Sequence, residues 1–380
     1  MDLTRAPRAS TEPPRTVAIL GLGLIGGSLA RLLARRGVAV TGYDTSPESR
    51  AQAADAGLHV VADVESLCAS APDVLVLAVP LRAVRAVATE VARHVVGSTL
   101  VTDVGSVKGP VRDVLEGCGL GDRYVGAHPM AGTEESGFAA SAAELLDGAR
   151  WAVTVTDRTR PEHLAGVLAL VTGAAGGRAY VLTDEVHDEA AALISHVPHA
   201  FAIELLNLVS TAPVRGVALA LAAGSFRDGT RVGRTDPRRT EAMLTENAGW
   251  VAPALRLAAR DLEALATALE ANASTTEFFD RADDVRATWQ PRGTAVVGPG
   301  TPAVPAVPAV PAVPAVPAAT ATPPPTLHGG PAASHGEVTG APERLSVDLG
   351  ETGWCPELLE LCLAGWVVVA VHGTLVELDR

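Results

Sequence analysis

Short apolar runs alternate with longer amphipathic stretches through the first half of the chain. The apolar runs predict β-strands at Val17–Leu20, Ala39–Tyr43, Val60–Val61, Asp73–Val79, Ser98–Thr102, Tyr124–Ala127 and Trp151–Thr156. Between them, Ala, Leu and Arg recur at helical spacing. This alternation predicts an α/β domain with a parallel, doubly wound sheet over residues 16–182. Residues 1–15, rich in Arg and Pro, are expected to form a disordered tail.

The pattern changes at Thr183. From there to residue 290, β-branched alternation gives way to Ala- and Leu-rich segments, and Thr183 precedes two acidic residues as a helix N-cap does. Within Trp250–Asn272, four leucines fall on one helical stripe: Leu255, Leu262, Leu265 and Leu269. We therefore predict an all-α second domain over residues 183–290.

Residues 291–340 differ from both domains. Residues 302–317 repeat Pro-Ala-Val five times and end on a sixth proline, which predicts a semi-rigid polyproline II linker. Residues 341–380 then show the pattern of a small βαβ fragment, with the helix at Pro-Glu-Leu-Leu-Glu-Leu. A segment this short buries too little apolar surface to fold alone.

A glycine-rich turn joins the first predicted strand to the first predicted helix. Its sequence is Gly21-Leu-Gly23-Leu24-Ile25-Gly26, the GxGxxG pattern of a Rossmann-type, dinucleotide-binding domain. The first glycine permits the tight turn, the second lets the backbone approach a pyrophosphate, and the third lets the helix pack on the strand. The N–H groups at the helix N-terminus then bind the anion.

Asp44 indicates which dinucleotide binds. It follows the second predicted strand, 23 residues beyond Gly21, where an acidic residue hydrogen-bonds the ribose hydroxyls of the adenosine. Because a carboxylate repels the 2′-phosphate of NADP, we expect NAD as the cofactor. Arg50 lies close enough in the sequence to leave NADP as the less favoured alternative.

Candidate chemistry gathers at the ends of three predicted strands. Ligands of an open α/β sheet bind beyond the carboxyl ends of its strands. Val79 and Pro80 end the fourth predicted strand and are expected to line the nicotinamide cleft. Asp103 and Ser106 end the fifth, where Asp103 is expected to contact the cofactor, and His128 ends the sixth. A serine and a histidine on neighbouring strand ends can meet in space.

Two polar clusters in the helical region are further candidates. His196 and His199 lie three residues apart beside a proline, and Asp228 and Arg231 share a glycine-flanked segment. A guanidinium matches a carboxylate ligand in a bidentate manner, so Arg231 is a candidate anion clamp. Lys108, the only lysine in the chain, lies in the turn after Asp103, which indicates a role that arginine does not fill.

Charge and composition narrow the possible partners. The net charge is −13 and the chain has no basic run, which argues against nucleic acid or an anionic membrane as the main partner. The four cysteines form no metal-binding spacing with each other or with histidine, so no metal site is expected. The N-terminus lacks the apolar core of a signal peptide, and no apolar run approaches the ~20 residues of a membrane helix. We therefore expect a cytoplasmic protein.

Five motifs in one order resemble the prephenate/arogenate dehydrogenase family of tyrosine biosynthesis. They are GLGLIGGSLA (21–30), DVGSVK (103–108), HPMAGTE (128–134), SHVPHA (195–200) and GSFRDGTR (224–231). The resemblance covers residues 16–290 and implies a Rossmann-type domain followed by a helical domain that forms a homodimer. It also implies oxidation of prephenate, or of arogenate, by a nicotinamide cofactor with loss of carbon dioxide.

The resemblance also implies roles for individual residues. His128 matches the residue that hydrogen-bonds the ring hydroxyl of the substrate, and Ser106 matches the serine that orients this histidine. Arg231 matches the arginine that binds a substrate carboxylate, His199 the histidine near the pyruvyl side chain, and Asp228 an acid in the same loop. A neutral histidine has a pKa suited to accepting the hydroxyl proton.

Several alternatives stay open at this point. Arogenate differs from prephenate only at the side chain, and Glu134 or Asp228 could favour its ammonium group. A β-hydroxyacid dehydrogenase would share the two-domain layout, although the helical region has no lysine to serve as its catalytic residue. A non-catalytic NAD-binding protein is the third possibility. Residues 341–380 resemble only the first half of an amino-acid-binding ACT domain, so feedback by tyrosine through this segment is not expected.

Overall fold

The computed structural model describes residues 12–289 and 344–380. The predicted linker and most of the predicted N-terminal tail lie outside the described residues. The strands are β1 (Thr16–Leu20), β2 (Ala39–Tyr43), β3 (His59–Val60), β4 (Val74–Leu77), β5 (Leu100–Asp103), β6 (Gly126–Pro129), β7 (Arg150–Thr154), β8 (Arg178–Leu182), β9 (Arg344–Asp348), β10 (Val367–His372) and β11 (Leu375–Asp379).

The helices divide between the two predicted domains and the C-terminus. They are α1 (Leu24–Arg35), α2 (Pro47–Asp55), α3 (Val64–Ala69), α4 (Val84–His94), α5 (Gly109–Gly117), α6 (Pro161–Leu168), α7 (Asp184–Ala191), α8 (Val197–Thr211), α9 (Arg215–Leu221), α10 (Gly224–Thr230), α11 (Pro237–Glu246), α12 (Ala248–Glu270), α13 (Thr276–Asp280), α14 (Asp283–Thr288) and α15 (Trp354–Leu363). The chain forms two compact units, Met1–Arg260 with Ala341–Arg380, and Asp261–Gly340.

The first sheet is parallel and has five strands in the order β3-β2-β1-β4-β5. Its central strand β1 is buried after Thr16, as expected of an apolar run covered on both faces. The strands β1, β2 and β4 end at Leu20, Tyr43 and Leu77, and Leu20 lies in register with both of the others. The carboxyl ends of three strands therefore meet at one edge, beside the glycine turn.

The second sheet has six strands in the order β6-β7-β8-β10-β11-β9. It departs from the predicted parallel arrangement because β6 runs antiparallel to β7. A single parallel bridge between Val101 and Tyr124 links β5 to the segment leading into β6, so the ends of β5 and β6 point the same way. Strand β8 was not among the predicted strands, because its half-buried alternation is a weaker signal than a continuous apolar run.

Residues 344–380, here called the C-terminal module, extend this second sheet. Strand β10 pairs antiparallel with β8, with Val368 opposite Ala179, and β11 lies between β10 and β9. The predicted βαβ fragment thus gains a fourth element. The chain turns from β10 to β11 through Gly373, whose φ of 72° suits a two-residue hairpin loop.

The C-terminal module shares one hydrophobic core with the N-terminal domain. Leu349, Leu358 and Val376 are fully buried in the same cluster as Val153 and Val181. The Cys362 thiol also accepts a hydrogen bond from the backbone N–H of Val181 at 3.3 Å. The module is therefore folded against β8 rather than alone. The core that it shares with the N-terminal domain stabilises this short segment.

The predicted helical domain is confirmed by α7–α14. One continuous helical stretch, Asp184–Thr211, is long and apolar enough to cross a membrane by length and composition. Polar residues such as His196 and His199 interrupt the apolar run within this stretch, so the sequence pattern did not single it out as a segment of membrane length. The same stretch carries the buried polar residues His187 and Asp188, which pack inside the protein.

Candidate active site

The glycine turn has the geometry of a phosphate cradle. Gly21 has a φ of 101°, and a Cβ atom there would lie 2.2 Å from the carbonyl oxygen of Ala78. A Cβ on Gly26 would lie 1.9 Å from the carbonyl oxygen of Gly21, so both positions are closed to any side chain. A Cβ on Gly23, by contrast, would meet nothing within 4 Å among the described residues. Close packing against the protein requires glycine at positions 21 and 26. At Gly23 the protein leaves open space, which fits a bound pyrophosphate.

Helix α1 presents its N-terminus to this space. It begins at Leu24 after Gly23, and in the described part of the chain no side chain caps it. Its first N–H groups are therefore available to an anion. Leu24 is buried, so it can contribute only its backbone to a bound cofactor, whereas Ile25 is half-buried and packs against the core. Val79 lies beside the turn, 3.2 Å from a Cβ built on Gly21, and Pro80 follows it in an exposed position.

Asp44 is held at the end of β2 by backbone amides. Its Oδ2 accepts a hydrogen bond from Leu22 N at 2.7 Å, and its Oδ1 accepts one from Ser46 N at 2.8 Å. Arg50 donates to the carbonyl oxygen of Asp44 at 2.6 Å and stacks over the Tyr43 ring at 5.7 Å. The carboxylate is thus fixed beside the glycine turn, where the ribose of a dinucleotide is expected.

Asp103 is engaged inside the protein and not in the cofactor cleft. Its Oδ2 accepts hydrogen bonds from Gly105 N at 2.8 Å and from Lys108 Nζ, and its Oδ1 accepts one from the Tyr124 hydroxyl at 2.8 Å. Both oxygens are occupied and the side chain is buried. The expectation of a cofactor contact therefore does not hold for this carboxylate, which instead supports the turn after β5.

Lys108 is fully buried, at 0% exposure. Its ammonium lies between the Asp103 carboxylate and the carbonyl oxygen of Ala127, 2.9 Å away. Burial lowers the pKa of Lys108, while Asp103 acts in the opposite direction. The compact ammonium ties the end of β5 to the residue that precedes His128, which explains a lysine in a chain that otherwise uses arginine.

His128 lies half-buried in β6 and contacts a second histidine. Its Nδ1 is 3.0 Å from Nε2 of His187, and the two rings meet edge to face with centroids 5.2 Å apart. Nδ1 of His187 is in turn 2.7 Å from Oδ1 of Asp188. Burial lowers the pKa of His128 well below 6.5, and the ammonium of Lys108 acts in the same direction. His128 is therefore neutral at physiological pH.

Asp188 anchors this chain of contacts. Its Oδ1 accepts a hydrogen bond from Lys108 N at 2.7 Å, and its Oδ2 accepts one from Gly109 N at 2.9 Å. Burial acts to raise the pKa of Asp188, but the hydrogen bonds from His187 and the two amides outweigh it and lower the pKa. Asp188 is therefore ionised, and it connects α7 to the turn after β5.

His196 belongs to the same buried cluster. The Asn247 amide nitrogen lies 2.9 Å from Nδ1 of His196 and donates to the carbonyl oxygen of Asp188 at 2.8 Å. Burial lowers the pKa of His196 to about 4. Nε2 of His196 has no hydrogen-bond partner within the described ranges. His196 thus stays neutral, and Asn247 links it to the backbone of Asp188.

The predicted substrate-binding residues are placed less tightly. Nδ1 of His199 lies 2.8 Å from the carbonyl oxygen of Ser195. Arg231 is 62% exposed and its guanidinium lies 3.9 Å from Glu134, so the structure brings the segment after β6 close to the helical domain. The Asp228 carboxylate is exposed and lies 3.7 Å from the neighbouring Arg227. An exposed guanidinium beside the segment that follows β6 suits a carboxylate ligand.

Ser106 does not orient His128 as expected. Among the described residues it makes no hydrogen bond to His128; the Nδ1 contact goes to His187 instead. Sequence reasoning missed both His187 and Asp188, because they lie on α7, 59 residues beyond His128 and outside the recognised motifs. A signal was available, since the His-Asp pair closely precedes the SHVPHA motif on the same apolar helical stretch.

Comparisons with known proteins agree with this fold. Residues 29–181 match the family model of the prephenate dehydrogenase nucleotide-binding domain, and residues 183–281 match that of the prephenate dehydrogenase dimerization domain. The cyclohexadienyl dehydrogenase of Zymomonas mobilis is 36% identical over 259 residues, which cover 67% of this chain and 88% of that protein.

Two solved structures are also similar. Prephenate dehydrogenase from A. aeolicus, in complex with hydroxyphenyl propionate and NAD+, has a TM-score of 0.66 and 31% identity, covering 72% of this chain and 97% of that one. Synechocystis arogenate dehydrogenase has a TM-score of 0.60 and 27% identity, covering 72% and 99%.

The fold and the site define a nicotinamide-dependent dehydrogenase with a Rossmann-type domain followed by a helical domain. The chain belongs to the prephenate dehydrogenase family. The predicted family, fold class, enzyme class and NAD cofactor are thereby confirmed.

Proposed function

We propose that the protein oxidises prephenate with NAD and releases 4-hydroxyphenylpyruvate and carbon dioxide, with His128 as the base. The observation that carries this proposal is the half-buried His128 of β6, whose approach segment pairs with β5 and whose Nδ1 contacts His187, with burial keeping the imidazole neutral. A neutral imidazole accepts a proton near physiological pH, as the oxidation of a ring hydroxyl requires.

Cofactor binding and proton transfer are assigned to different residues. Gly21, Gly23, Gly26 and Asp44 hold NAD, which supplies the hydride acceptor when bound. His128 takes the proton of the C4 hydroxyl as this group becomes a carbonyl. The C1 carboxylate then leaves as carbon dioxide while the ring becomes aromatic, and His128 returns the proton to the phenolic oxygen. Aromatisation makes the overall reaction strongly favourable.

Several groups orient the substrate. The Arg231 guanidinium is available to pair with a substrate carboxylate, and much of its benefit lies in positioning. His199 is proposed to contact the pyruvyl side chain, and Val79 and Pro80 to line the nicotinamide cleft. For Ser106 we propose a contact with the substrate hydroxyl once substrate is present, and Asp228 is assigned to the same loop as Arg231.

Arg231→Ala is expected to raise KM for prephenate by about tenfold or more, with a smaller effect on kcat. A charge-assisted hydrogen bond contributes about 1.5–3 kcal/mol, and here it is lost in both the bound and the transition state. Steady-state kinetics measures the effect. The matched control is Arg234→Ala, an exposed arginine of the same turn. An unchanged KM in Arg231→Ala would remove this residue from the carboxylate site.

Arogenate is the second candidate substrate, because one contact favours it. Glu134 lies 3.9 Å from Arg231, so a carboxylate borders the proposed side-chain pocket, where it could pair with the ammonium of arogenate. Reduced-nicotinamide formation, measured with each substrate against NAD and NADP, tests the proposal. We expect turnover with prephenate and NAD. Turnover with arogenate alone would show that the enzyme is specific for arogenate and not for prephenate. Activity with NADP alone would refute the assignment of Asp44 to NAD binding.

The assembly proposed is a homodimer through the helical domain, in the cytoplasm. The dimerization-domain match covers residues 183–281, and large apolar side chains are exposed on its helices, including Leu208 on α8 and Leu221 on α9. Apolar side chains in such numbers are typical of a protein–protein interface. Light scattering on the purified chain measures the assembly directly.

A further inference from the structure

We propose that His187 and Asp188 are positioning residues that fix the tautomer of His128, so that its Nε2 is the basic nitrogen. The proposal deepens the proposed function and rests on it for the role of His128 as the base. It is carried by the contacts that join the three side chains, Nδ1 of His128 to Nε2 of His187 at 3.0 Å and Nδ1 of His187 to Asp188 at 2.7 Å.

The direction of the hydrogen bonds follows from Asp188. Its carboxylate accepts from the backbone N–H groups of Lys108 and Gly109, and an ionised carboxylate has no hydrogen to donate. Nδ1 of His187 must therefore carry the proton in its bond to Asp188. In a neutral His187 the other nitrogen, Nε2, is then an acceptor.

The same reasoning extends to His128. Because Nε2 of His187 accepts, Nδ1 of His128 must carry the proton between the two rings. A neutral His128 then has an unprotonated Nε2, which is free to take a proton from the substrate hydroxyl. The nitrogen that carries the proton in a histidine is set by the hydrogen bond that the other nitrogen makes.

A cationic His187 would reverse this outcome. It would donate from both nitrogens, so Nδ1 of His128 would accept and Nε2 would carry the proton, leaving no base for the hydroxyl. His187 is only 2% exposed, and its two ring nitrogens contact His128 and Asp188.

The relay also stabilises the charge that catalysis creates. When His128 accepts the hydroxyl proton it becomes cationic, and its Nδ1–H keeps donating to His187. His187 in turn donates to the Asp188 carboxylate, so the negative charge is coupled to the new positive charge through one ring. A buried carboxylate that orients a histidine base is the arrangement used in acyl-transfer triads.

The first test is the tautomer of His128 in the full-length protein. In a histidine-labelled sample without substrate, two-bond ¹H–¹⁵N correlation spectra at neutral pH identify the protonated nitrogen of each ring, and His128 is assigned from its own variant. We expect Nδ1 protonated and Nε2 unprotonated in His128. Nε2 protonated as the major form would overturn the proposal.

Two variants of His187 distinguish the effect of its hydrogen bond to His128 from the effect of its side-chain volume. The Gln side chain in His187→Gln places its amide oxygen near the position of Nε2, where it accepts from His128. The shorter His187→Asn reaches Asp188 and not His128. We expect His187→Asn to shift His128 to the Nε2-protonated form and to lower kcat by about 10- to 100-fold with KM nearly unchanged, and His187→Gln to restore most of the loss.

The controls keep the outcomes distinct. His59→Asn alters an exposed histidine of β3 and should change neither spectrum nor kcat. If both His187 variants lose kcat equally while the tautomer of His128 stays unchanged, the relay is refuted. Because the tautomer is read without substrate, failure to turn over prephenate would refute the proposed function alone, whereas the wrong tautomer in an active enzyme would refute the relay alone.

Discussion

Leu358→Ala is expected to destabilise the whole N-terminal domain by about 2–5 kcal/mol, although Leu358 lies in the last 23 residues of the chain. Its side chain is 0% exposed and belongs to the core cluster that includes Val153 and Val181. Removal of a buried leucine loses transfer free energy and leaves a cavity. Deletion of residues 341–380 should have a larger effect, because it uncovers the edge of β8 and the core beneath α15.

Thermal and denaturant unfolding measure this effect. A change of about 1 kcal/mol in the free energy of unfolding corresponds to roughly 2–4 °C in Tm for a domain of this size, so Leu358→Ala should lower Tm by about 4–20 °C. Leu363→Ala on the same helix is the matched control, since that leucine is 62% exposed and should change Tm little. Equal Tm values for the two variants, or an unaltered Tm after deletion of the C-terminal module, would show that the module is not part of the core.

His128→Asn is expected to lower kcat by about 10²- to 10⁴-fold, while the affinity for NAD and the KM for prephenate change little. A positioned general base contributes this much to a proton transfer, and asparagine keeps a polar side chain of similar reach without a basic nitrogen. Steady-state kinetics and titration of NAD binding by fluorescence measure the two effects. His163→Asn alters a half-buried histidine of α6 that is not among the residues assigned to the site; it is the control and should keep normal kcat.

The pH dependence gives a second readout of the same base. His128 acts as a base only when neutral, so activity falls as the pH drops through its pKa. Burial lowers this pKa well below 6.5, and the acidic limb of kcat/KM should therefore lie below pH 6.5. In His128→Asn this limb should vanish from the residual activity. A wild-type limb at or above pH 6.5, or normal kcat in the variant, would remove His128 from the role of base.

Local sequence patterns predicted the cofactor turn well because its contacts are local. Gly21, Gly26 and Asp44 act within one strand–turn–helix unit and the adjacent strand, and the steric reasons for the two glycines are visible in the pattern itself. The nature of the cofactor followed from the same few residues. A motif of this kind is predictable because its geometry repeats wherever a dinucleotide meets a helix N-terminus.

Long-range contacts were the part that sequence could not supply. The pairing of Val368 with Ala179 joins the C-terminal module to β8 across nearly two hundred residues. The sequence of neither segment indicates which strand it pairs with. The contact of His128 with His187 is of the same kind. The role of Lys108 was predictable only in part. As the only lysine of the chain it was expected to have a particular function. Its buried contacts with Asp103 and the carbonyl oxygen of Ala127 show that it holds two strand ends together.

In the proposed reaction, one site couples hydride transfer to the loss of carbon dioxide. The most direct test is the stoichiometry of one reaction of the wild-type chain with prephenate and NAD, in which NADH, carbon dioxide and 4-hydroxyphenylpyruvate are measured on the same sample. The proposed function predicts one of each for every prephenate consumed. NADH formed without carbon dioxide would indicate a simple hydroxyacid dehydrogenase, and NAD bound without any NADH formed would indicate a binding protein; either result would contradict the assigned chemistry.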